Sequence, residues 1–251
     1  MRENRLPGFR GALAIAFLLL FCARSHASPK LQTFESSGRT IHYEMFEGAA
    51  PNAPLLILLH GASGPGSEFY RSQASFFARS GYEVLLLHYF DADRSHDPTD
   101  RTYHVWAQAL EDLVRECGVS ASLSGRPIFV AGYSLGASVA PAAGSQGLPV
   151  RAIAEWYGSL PDDFFYHFKT MPPLLLLHGA LDENIPLSNA QQLVRLCEMA
   201  RLVCADHIYR DQGHGFSGKV LDDAEKRTLD FFREHSDEVP GRGAVRKAEV
   251  R

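Results

Sequence analysis

Four short, mostly apolar runs, separated by longer amphipathic stretches, set the pattern of the chain. The runs occupy residues 55–59, 83–89, 128–131 and 174–177. An apolar run without polar alternation predicts a strand that is covered on both faces. The stretches between the runs, such as residues 101–117, place their apolar side chains on one face of a helix. This alternation predicts an α/β fold, a mostly parallel sheet with helices on both faces.

The pattern continues on both sides of these runs. Residues 31–35 and 40–46 alternate polar and apolar side chains around Ser37-Gly38, which predicts an antiparallel N-terminal hairpin at the sheet edge. Further strands are predicted at residues 152–157 and 202–209, and further helices at residues 67–79, 186–200 and 217–235. The segment at residues 158–171 is too short to form a large lid, so we expect an open cleft.

Both ends of the chain lie outside this pattern. Residues 1–27 combine early arginines, an apolar run and small residues before the predicted cleavage site, as a secretory signal peptide does. Residues 236–251 carry proline, glycine and mixed charge and predict a disordered tail. A single catalytic domain is therefore expected over residues 28–235, in a secreted or periplasmic protein without membrane attachment after cleavage.

Charge and cysteine content narrow the class of protein further. The leader holds four arginines and one glutamate, so its removal lowers the net charge from −4 to −7 and leaves no basic patch for nucleic acid. Cys197 lies late in a predicted helix and Cys204 early in the next strand, so a turn could bring them together and we predict a disulfide between them. Cys117 is then left as a buried thiol. The cysteine spacing is not that of a zinc site, and we expect no metal and no organic cofactor.

The stretch around Ser134 carries the strongest chemical signal. Gly132-Tyr133-Ser134-Leu135-Gly136 follows the apolar run at residues 128–131, and a helical stretch comes next. A serine with glycine two positions away on each side, in a turn from strand to helix, is typical of a nucleophile elbow. Pro141 lies early in the following helix, so we predict a kink or a late start there.

Two further candidates follow later strands, in the chain order serine, aspartate, histidine. Asp182 comes after the run at residues 174–177, and His214 lies in a loop after the last strand. Because the carboxyl ends of parallel strands meet at one edge of a sheet, we expect both side chains near Ser134. His214 would accept the serine proton, and Asp182 would fix the tautomer of the imidazole.

Other aspartates are alternatives to Asp182 for the role of the acid. Asp162 and Asp163 follow the preceding strand and are flanked by aromatic residues, which suit a pocket wall better. Asp211 lies three residues from His214, a spacing at which a carboxylate rarely reaches the far ring nitrogen. Asp182 is favoured because Gly179 and the residue after it allow a sharp turn toward the histidine loop.

Supporting groups are predicted around the nucleophile. The backbone amides of Leu135 and Ala62 are expected to form an oxyanion hole, with Ser63 as the alternative to Ala62. Three aromatic residues at or after strand ends are candidate substrate-binding residues, with core packing as the alternative: Tyr133, Trp156 and Phe164. His60 and His178, each beside a glycine at a strand end, are expected to have structural roles.

Four motifs together resemble the dienelactone hydrolase family of the α/β-hydrolase superfamily. They are His60-Gly61, the elbow at residues 132–136, the stretch at residues 178–186 and Gly213-His214-Gly215-Phe216. The resemblance covers roughly residues 31–235 and implies an α/β-hydrolase fold acting on a small-molecule ester. The founding lactone hydrolases of this family resemble the sequence but carry cysteine at the position of Ser134. Serine there suggests a general ester or peptide-like acyl substrate.

The expected function is that of a serine hydrolase that cleaves carboxylic esters through an acyl-enzyme. One alternative is a serine peptidase or acyltransferase with the same three residues. A second alternative, from a different class, is a non-catalytic binding protein on the same scaffold. Labelling with a fluorophosphonate separates the classes, because only an activated serine reacts with this reagent.

Overall fold

An eight-stranded sheet forms the centre of the computed structural model, which describes residues 28–236. Its strands are β1 Lys30–Ser36, β2 Arg39–Phe46, β3 Leu55–Leu59, β4 Glu83–Leu87, β5 Ile128–Tyr133, β6 Ile153–Trp156, β7 Leu174–Gly179 and β8 Cys204–Tyr209. Their spatial order is β1-β2-β4-β3-β5-β6-β7-β8. The predicted signal peptide, and all of the predicted tail except its first residue, lie outside the described residues.

Helices connect the parallel strands. They are α1 Glu68–Arg79, α2 Asp100–Val119, α3 Leu135–Ser145, α4 Leu187–Ala200 and α5 Gly218–Glu234. Two short 3-10 segments, Tyr89–Ala92 and Asp162–Thr170, complete the connections. No helix within residues 28–236 combines the length and the apolar character needed to cross a bilayer.

The sheet has the predicted mixed topology. β1 pairs antiparallel with β2, and β2 pairs antiparallel with β4, so the N-terminal hairpin lies at one edge. From β4 to β8 every neighbouring pair is parallel. The carboxyl ends of β5, β7 and β8 therefore lie at the same edge of the sheet, which is where the candidate residues follow.

Two apolar layers enclose the sheet, as the uninterrupted apolar runs predict. In β3, Leu55, Ile57 and Leu59 face a layer built with α2, α3 and α4. Leu56 and Leu58 face the opposite layer, built with α1 and α5. Because successive side chains of a strand point to opposite faces, every side chain of a strand covered on both sides is buried, which favours the uninterrupted apolar run of β3.

Helix α3 differs from its prediction. It begins at Leu135, directly after the elbow, and continues through Pro141 to Ser145, so the predicted late start is wrong. Proline costs one intrahelical hydrogen bond. Every residue of α3 is buried, and packing on all sides of a helix stabilises it more than local propensity does. The nucleophile position is therefore followed at once by a regular helix N-terminus.

The cysteine predictions are confirmed. Cys197, near the end of α4, and Cys204, at the start of β8, form a disulfide across a sequence separation of seven residues. Cys117 of α2 is a free and buried cysteine. Burial disfavours the thiolate and raises the pKa of Cys117 to about 12, so this thiol is kept unreactive at neutral pH.

Candidate active site

Ser134 lies in a strained turn between β5 and α3. Its backbone angles are φ 53° and ψ −115°, a conformation that few residues other than glycine adopt. Its amide donates to the carbonyl oxygen of Trp156 at 3.0 Å, which fastens the turn to β6. A methyl group on Gly132 would collide with the carbonyl oxygen of Gly136, so the turn closes only because both flanking positions lack a Cβ.

The three candidate side chains form one hydrogen-bonded chain. Ser134 Oγ lies 2.8 Å from His214 Nε2, and His214 Nδ1 lies 2.8 Å from Asp182 Oδ2. The hydrogen bond predicted between Asp182 and Nδ1 of His214 is therefore present. With Nδ1–H donating to the carboxylate, Nε2 carries a lone pair and can accept the hydrogen bond of the Ser134 hydroxyl.

The acid loop holds Asp182 in place through its other oxygen. The backbone amides of Asn184 and Ile185 donate to Asp182 Oδ1 at 2.9 and 2.8 Å. The side chain is buried, so these bonds satisfy a group that solvent does not reach. A carboxylate with both oxygens bonded has one orientation, and it presents that orientation to the imidazole.

The rival acids lie elsewhere. Asp163 Oδ2 is 3.4 Å from His104 Nε2, and both side chains are half exposed to solvent. Asp162 and Asp211 are exposed. In the structure, Asp182 is the carboxylate bonded to His214, as the turn after β7 predicts.

Two histidines near the candidate site, His60 and His178, make structural contacts, as predicted. The His60 side chain donates from Nδ1 to the carbonyl oxygen of Gly61 at 2.8 Å, and its ring stacks on Tyr89 with centroids 4.2 Å apart. Burial lowers the pKa of His60 to about 3, so this ring is neutral. His178 donates from Nε2 to the carbonyl oxygen of Ile185 at 2.9 Å, and burial lowers its pKa too. The His60 ring thus stabilises the loop after β3, and the His178 ring stabilises the acid loop.

The predicted oxyanion donors lie in two segments next to Ser134, the start of α3 and the loop after β3. Leu135 is the first residue of α3, and the first amides of a helix have no acceptor within it. Ala62 follows Gly61, whose backbone passes close to the elbow. A methyl group on Gly61 would lie 3.2 Å from Ser134 Cβ and 2.5 Å from Tyr70 Oη. The loop after β3 therefore packs against Ser134, and the Tyr70 hydroxyl lies close to Gly61 of this loop.

The three predicted substrate-binding residues lie in the core, as the alternative interpretation in the sequence analysis expects. Tyr133, Trp156 and Phe164 have no exposed surface. The Tyr133 hydroxyl donates to Gln73 Oε1 and the Trp156 indole donates to Thr228 Oγ1, each at 3.0 Å. These partners come from α1 and α5, so the rings point into the core and not into the cleft. Aromatic residues at strand ends can either bind substrate or pack in the core, and only their partners in the tertiary structure distinguish the two roles.

Tyr157, one residue after β6, contacts the candidate base and is missed by the sequence prediction. Its ring centroid lies 5.0 Å from that of His214, edge to face, and its own backbone φ is 48°. Burial raises the pKa of its phenol. The sequence places Tyr157 at the end of a predicted strand, and nothing local indicates the left-handed turn that directs its ring toward His214.

The sheet order and the turn after β5 define an α/β-hydrolase. A sequence model of the dienelactone hydrolase family matches residues 43–236, and the chain belongs to that family. In the described part of the chain no cluster of three or more His, Cys, Asp or Glu side chains is arranged to hold a metal ion.

Known relatives are distant. A provisionally named carboxymethylenebutenolidase of Methylorubrum extorquens is 27% identical over 103 residues, which span 34% of this chain and 35% of that protein. A provisionally named dienelactone hydrolase from Klebsiella pneumoniae superposes with a TM-score of 0.70 at 16% identity, covering 82% of this chain and 98% of the other. The Pyrococcus furiosus esterase Pf2001 gives 0.69 at 15% identity, with 83% and 93% covered. At these identities the structures show the shared fold.

Proposed function

We propose that this protein is a serine hydrolase that cleaves small carboxylic esters through an acyl-enzyme. The observation that carries the proposal is the continuous chain Ser134–His214–Asp182, with both hydrogen bonds at 2.8 Å. Membership of the dienelactone hydrolase family supports a hydrolase. Serine at the elbow, where the founding members resemble this chain but carry cysteine, favours a general ester over their lactone.

The roles of the three residues follow from their bonds. His214 Nε2 takes the proton of Ser134 Oγ as the oxygen attacks the ester carbonyl, and the tetrahedral oxyanion forms beside the Leu135 and Ala62 amides. Each such donor lowers the barrier by about 3 kcal/mol. His214 then protonates the leaving alcohol, and the acyl group stays on Ser134. A water molecule, deprotonated by the same nitrogen, releases the acid and restores the serine.

A substitution of the nucleophile tests the proposal directly. Ser134→Ala is expected to abolish both hydrolysis of p-nitrophenyl acetate and labelling by a fluorophosphonate, because no other residue can form the acyl-enzyme. Ser145→Ala, which alters a buried serine of the same helix that donates to Ala142, is the matched control and should keep both reactions. Wild-type turnover in the Ser134 variant would refute the proposal.

An amide substrate is the second candidate. The acylaminoacyl peptidase of Pyrococcus horikoshii superposes with a TM-score of 0.69 at 16% identity, but this chain covers 44% of that protein. The same three residues serve ester and amide acyl transfer, so the fold does not separate them. Comparing p-nitrophenyl esters of increasing acyl length with an acetylated amino-acid anilide decides the class, and we expect the esters to react at least 100-fold faster.

We also propose that the mature protein begins after Ala27 and acts outside the cytoplasm. The basic, apolar and small-residue order of residues 1–27 supports export. The Cys197–Cys204 disulfide supports an oxidising compartment. Expression in a bacterial host, followed by cell fractionation and N-terminal sequencing, should recover a periplasmic chain that starts at Ser28. A cytoplasmic, full-length product would contradict this.

A further inference from the structure

Glu155 is a buried acid that the proposed mechanism does not use. It lies in β6, and its side chain has no exposed surface. Its Oε1 accepts a hydrogen bond from the backbone amide of Gly158, three residues later, while Oε2 has no hydrogen-bond partner among residues 28–236. A carboxyl group buried in this way is expensive to keep, so its place in the turn after β6 calls for an explanation.

That turn contacts both the nucleophile and the base. The carbonyl oxygen of Trp156 accepts from the Ser134 amide at 3.0 Å. The next residue, Tyr157, has a φ of 48°, and its amide donates to Leu177 at 2.7 Å. Its ring packs edge to face on His214. The turn therefore places Tyr157, a residue in a strained backbone conformation, in contact with the imidazole of His214.

The Glu155 carboxyl is the group that closes this turn. A methyl group on Gly158 would lie 2.5 Å from Ala137 Cβ and 2.6 Å from Glu155 Oε1, so the turn is packed tightly against α3. The Gly158 amide has its acceptor in Glu155, and a buried amide without an acceptor is costly. A left-handed non-glycine residue persists only where its surroundings over-determine it, and the bonds on either side of Tyr157 do so.

The protonation state of Glu155 suits a positioning role. Burial, together with a smaller contribution from the charge of Asp182, raises the pKa of Glu155 to about 8. The group is therefore mainly neutral at pH 7. A neutral acid accepts the Gly158 bond without adding a second negative charge beside the Asp182–His214 pair, which would alter the basicity of the imidazole.

We propose that Glu155 is a positioning residue for the hydrolase reaction, which holds the Tyr157–Gly158 turn so that the Tyr157 ring orients His214 toward Ser134. The inference rests on the proposed function. Glu155 contacts neither substrate nor the reacting atoms, and its effect reaches the reaction through the imidazole.

The test compares two substitutions of Glu155 with one control. Glu155→Gln keeps an oxygen that accepts from Gly158, so its kcat should stay within about threefold of wild type. Glu155→Leu removes the acceptor, so its kcat for p-nitrophenyl acetate should fall at least about tenfold with KM within about twofold, because misorientation acts on the chemical step. Thr228→Val is the control, because it leaves the buried Trp156 indole unpaired on the other face of β6.

Folded, active protein is counted by fluorophosphonate titration, so rates refer to competent sites alone. We expect Thr228→Val to lose stability and keep its kcat. A Glu155→Leu variant with wild-type kcat would overturn the proposal, and so would a Glu155→Gln variant as slow as Glu155→Leu. If Glu155→Leu does not fold, a Glu155→Gln variant whose kcat falls at least about tenfold still overturns the proposal.

A second readout separates this proposal from the proposed function. The NMR chemical shift of the His214 C2 proton at pH 7, to which the ring current of the adjacent Tyr157 contributes, should change in Glu155→Leu and remain as in wild type in Glu155→Gln and Thr228→Val. This measurement needs no turnover. Absence of ester hydrolysis in the wild type would refute the proposed function, whereas an unchanged His214 C2 chemical shift in Glu155→Leu would refute the positioning role.

Discussion

Asp182, after β7, and Glu155, in the neighbouring strand β6, are two buried carboxyl groups that are held in opposite ways. Asp182 accepts at both oxygens, from two backbone amides and from the His214 imidazole. Glu155 accepts from one backbone amide, and its second oxygen has no partner in the described part of the chain. The first environment suits a carboxylate, and the second suits a neutral acid. The number of donors around an acid, more than its depth in the fold, indicates which task it can perform.

The largest expected effect comes from removing the charge of the first acid. Asp182→Asn should lower kcat/KM by about three to four orders of magnitude, because the amide favours the wrong tautomer of His214. Its fold should persist, since the side-chain oxygen can still accept from the Asn184 and Ile185 amides. Steady-state kinetics and a urea titration of the same sample check both parts.

Asp163→Asn is the matched control for that substitution, because Asp163 follows the neighbouring strand and bonds to His104 at the surface, away from His214. We expect its kcat/KM to stay within about twofold of wild type. If Asp163→Asn were crippled and Asp182→Asn nearly silent, the acid would belong to the β6 connection, and the contrast between the two carboxyls would fail.

The ionisation of Glu155 should make the free energy of unfolding depend on pH. Glu155 has an ordinary pKa of 4.5 when exposed and a pKa of about 8 in the folded protein, so the folded state keeps a proton that the unfolded chain releases. Its contribution to stability is fully present below about pH 4.5 and is lost as the pH rises through about 8. The slope should approach about 1.4 kcal/mol per pH unit between these values.

The measurement is the difference in unfolding free energy between wild type and Glu155→Gln at pH 5, 6, 7, 8 and 9. We expect the wild type to lose stability relative to the variant as the pH rises, because only the wild type ionises at this site. A difference that is constant with pH would mean that Glu155 is ionised in the folded state, which would erase the contrast with Asp182.

The smallest effect is expected from the disulfide. Cys197–Cys204 joins α4 to β8, the elements that follow the acid loop and precede the histidine loop. The double variant Cys197→Ala/Cys204→Ala should lose about 2–3 kcal/mol of stability on the chain-entropy model, because the closed loop is short. Its kcat should remain as in wild type, since the disulfide contacts neither carboxyl. A lowered kcat would extend the positioning network to α4.

The sheet and the meeting of three side chains are predictable because both follow from local signals. Apolar runs mark the strands, and parallel strands bring the residues after β5, β7 and β8 to one edge. The acid loop is predictable for the same reason, since a sharp turn after β7 leaves Asp182 one direction in which to point.

The β6 connection is not predictable because its determinants are tertiary. The sequence runs the strand through Tyr157, whereas the structure ends β6 at Trp156 and turns left-handed. That turn depends on Glu155 losing contact with water, which no local pattern reveals. The burial of the aromatic residues is unpredictable for a similar reason. The hydrogen-bond partners of Tyr133 and Trp156 lie 60 and 72 residues away in the sequence, in α1 and α5. A strand-end ring points to the core or to the cleft according to such partners.

The backbone of Ser134 has a consequence for the evolution of this family. A non-glycine residue at φ 53° costs about 1–3 kcal/mol, which the surrounding fold must offset. Ser134→Gly would relieve that cost, so this variant should be the more thermally stable chain. Selection for stability alone would thus replace Ser134, and under the proposed function a serine kept at this position in a descendant of this protein would record selection for its chemistry.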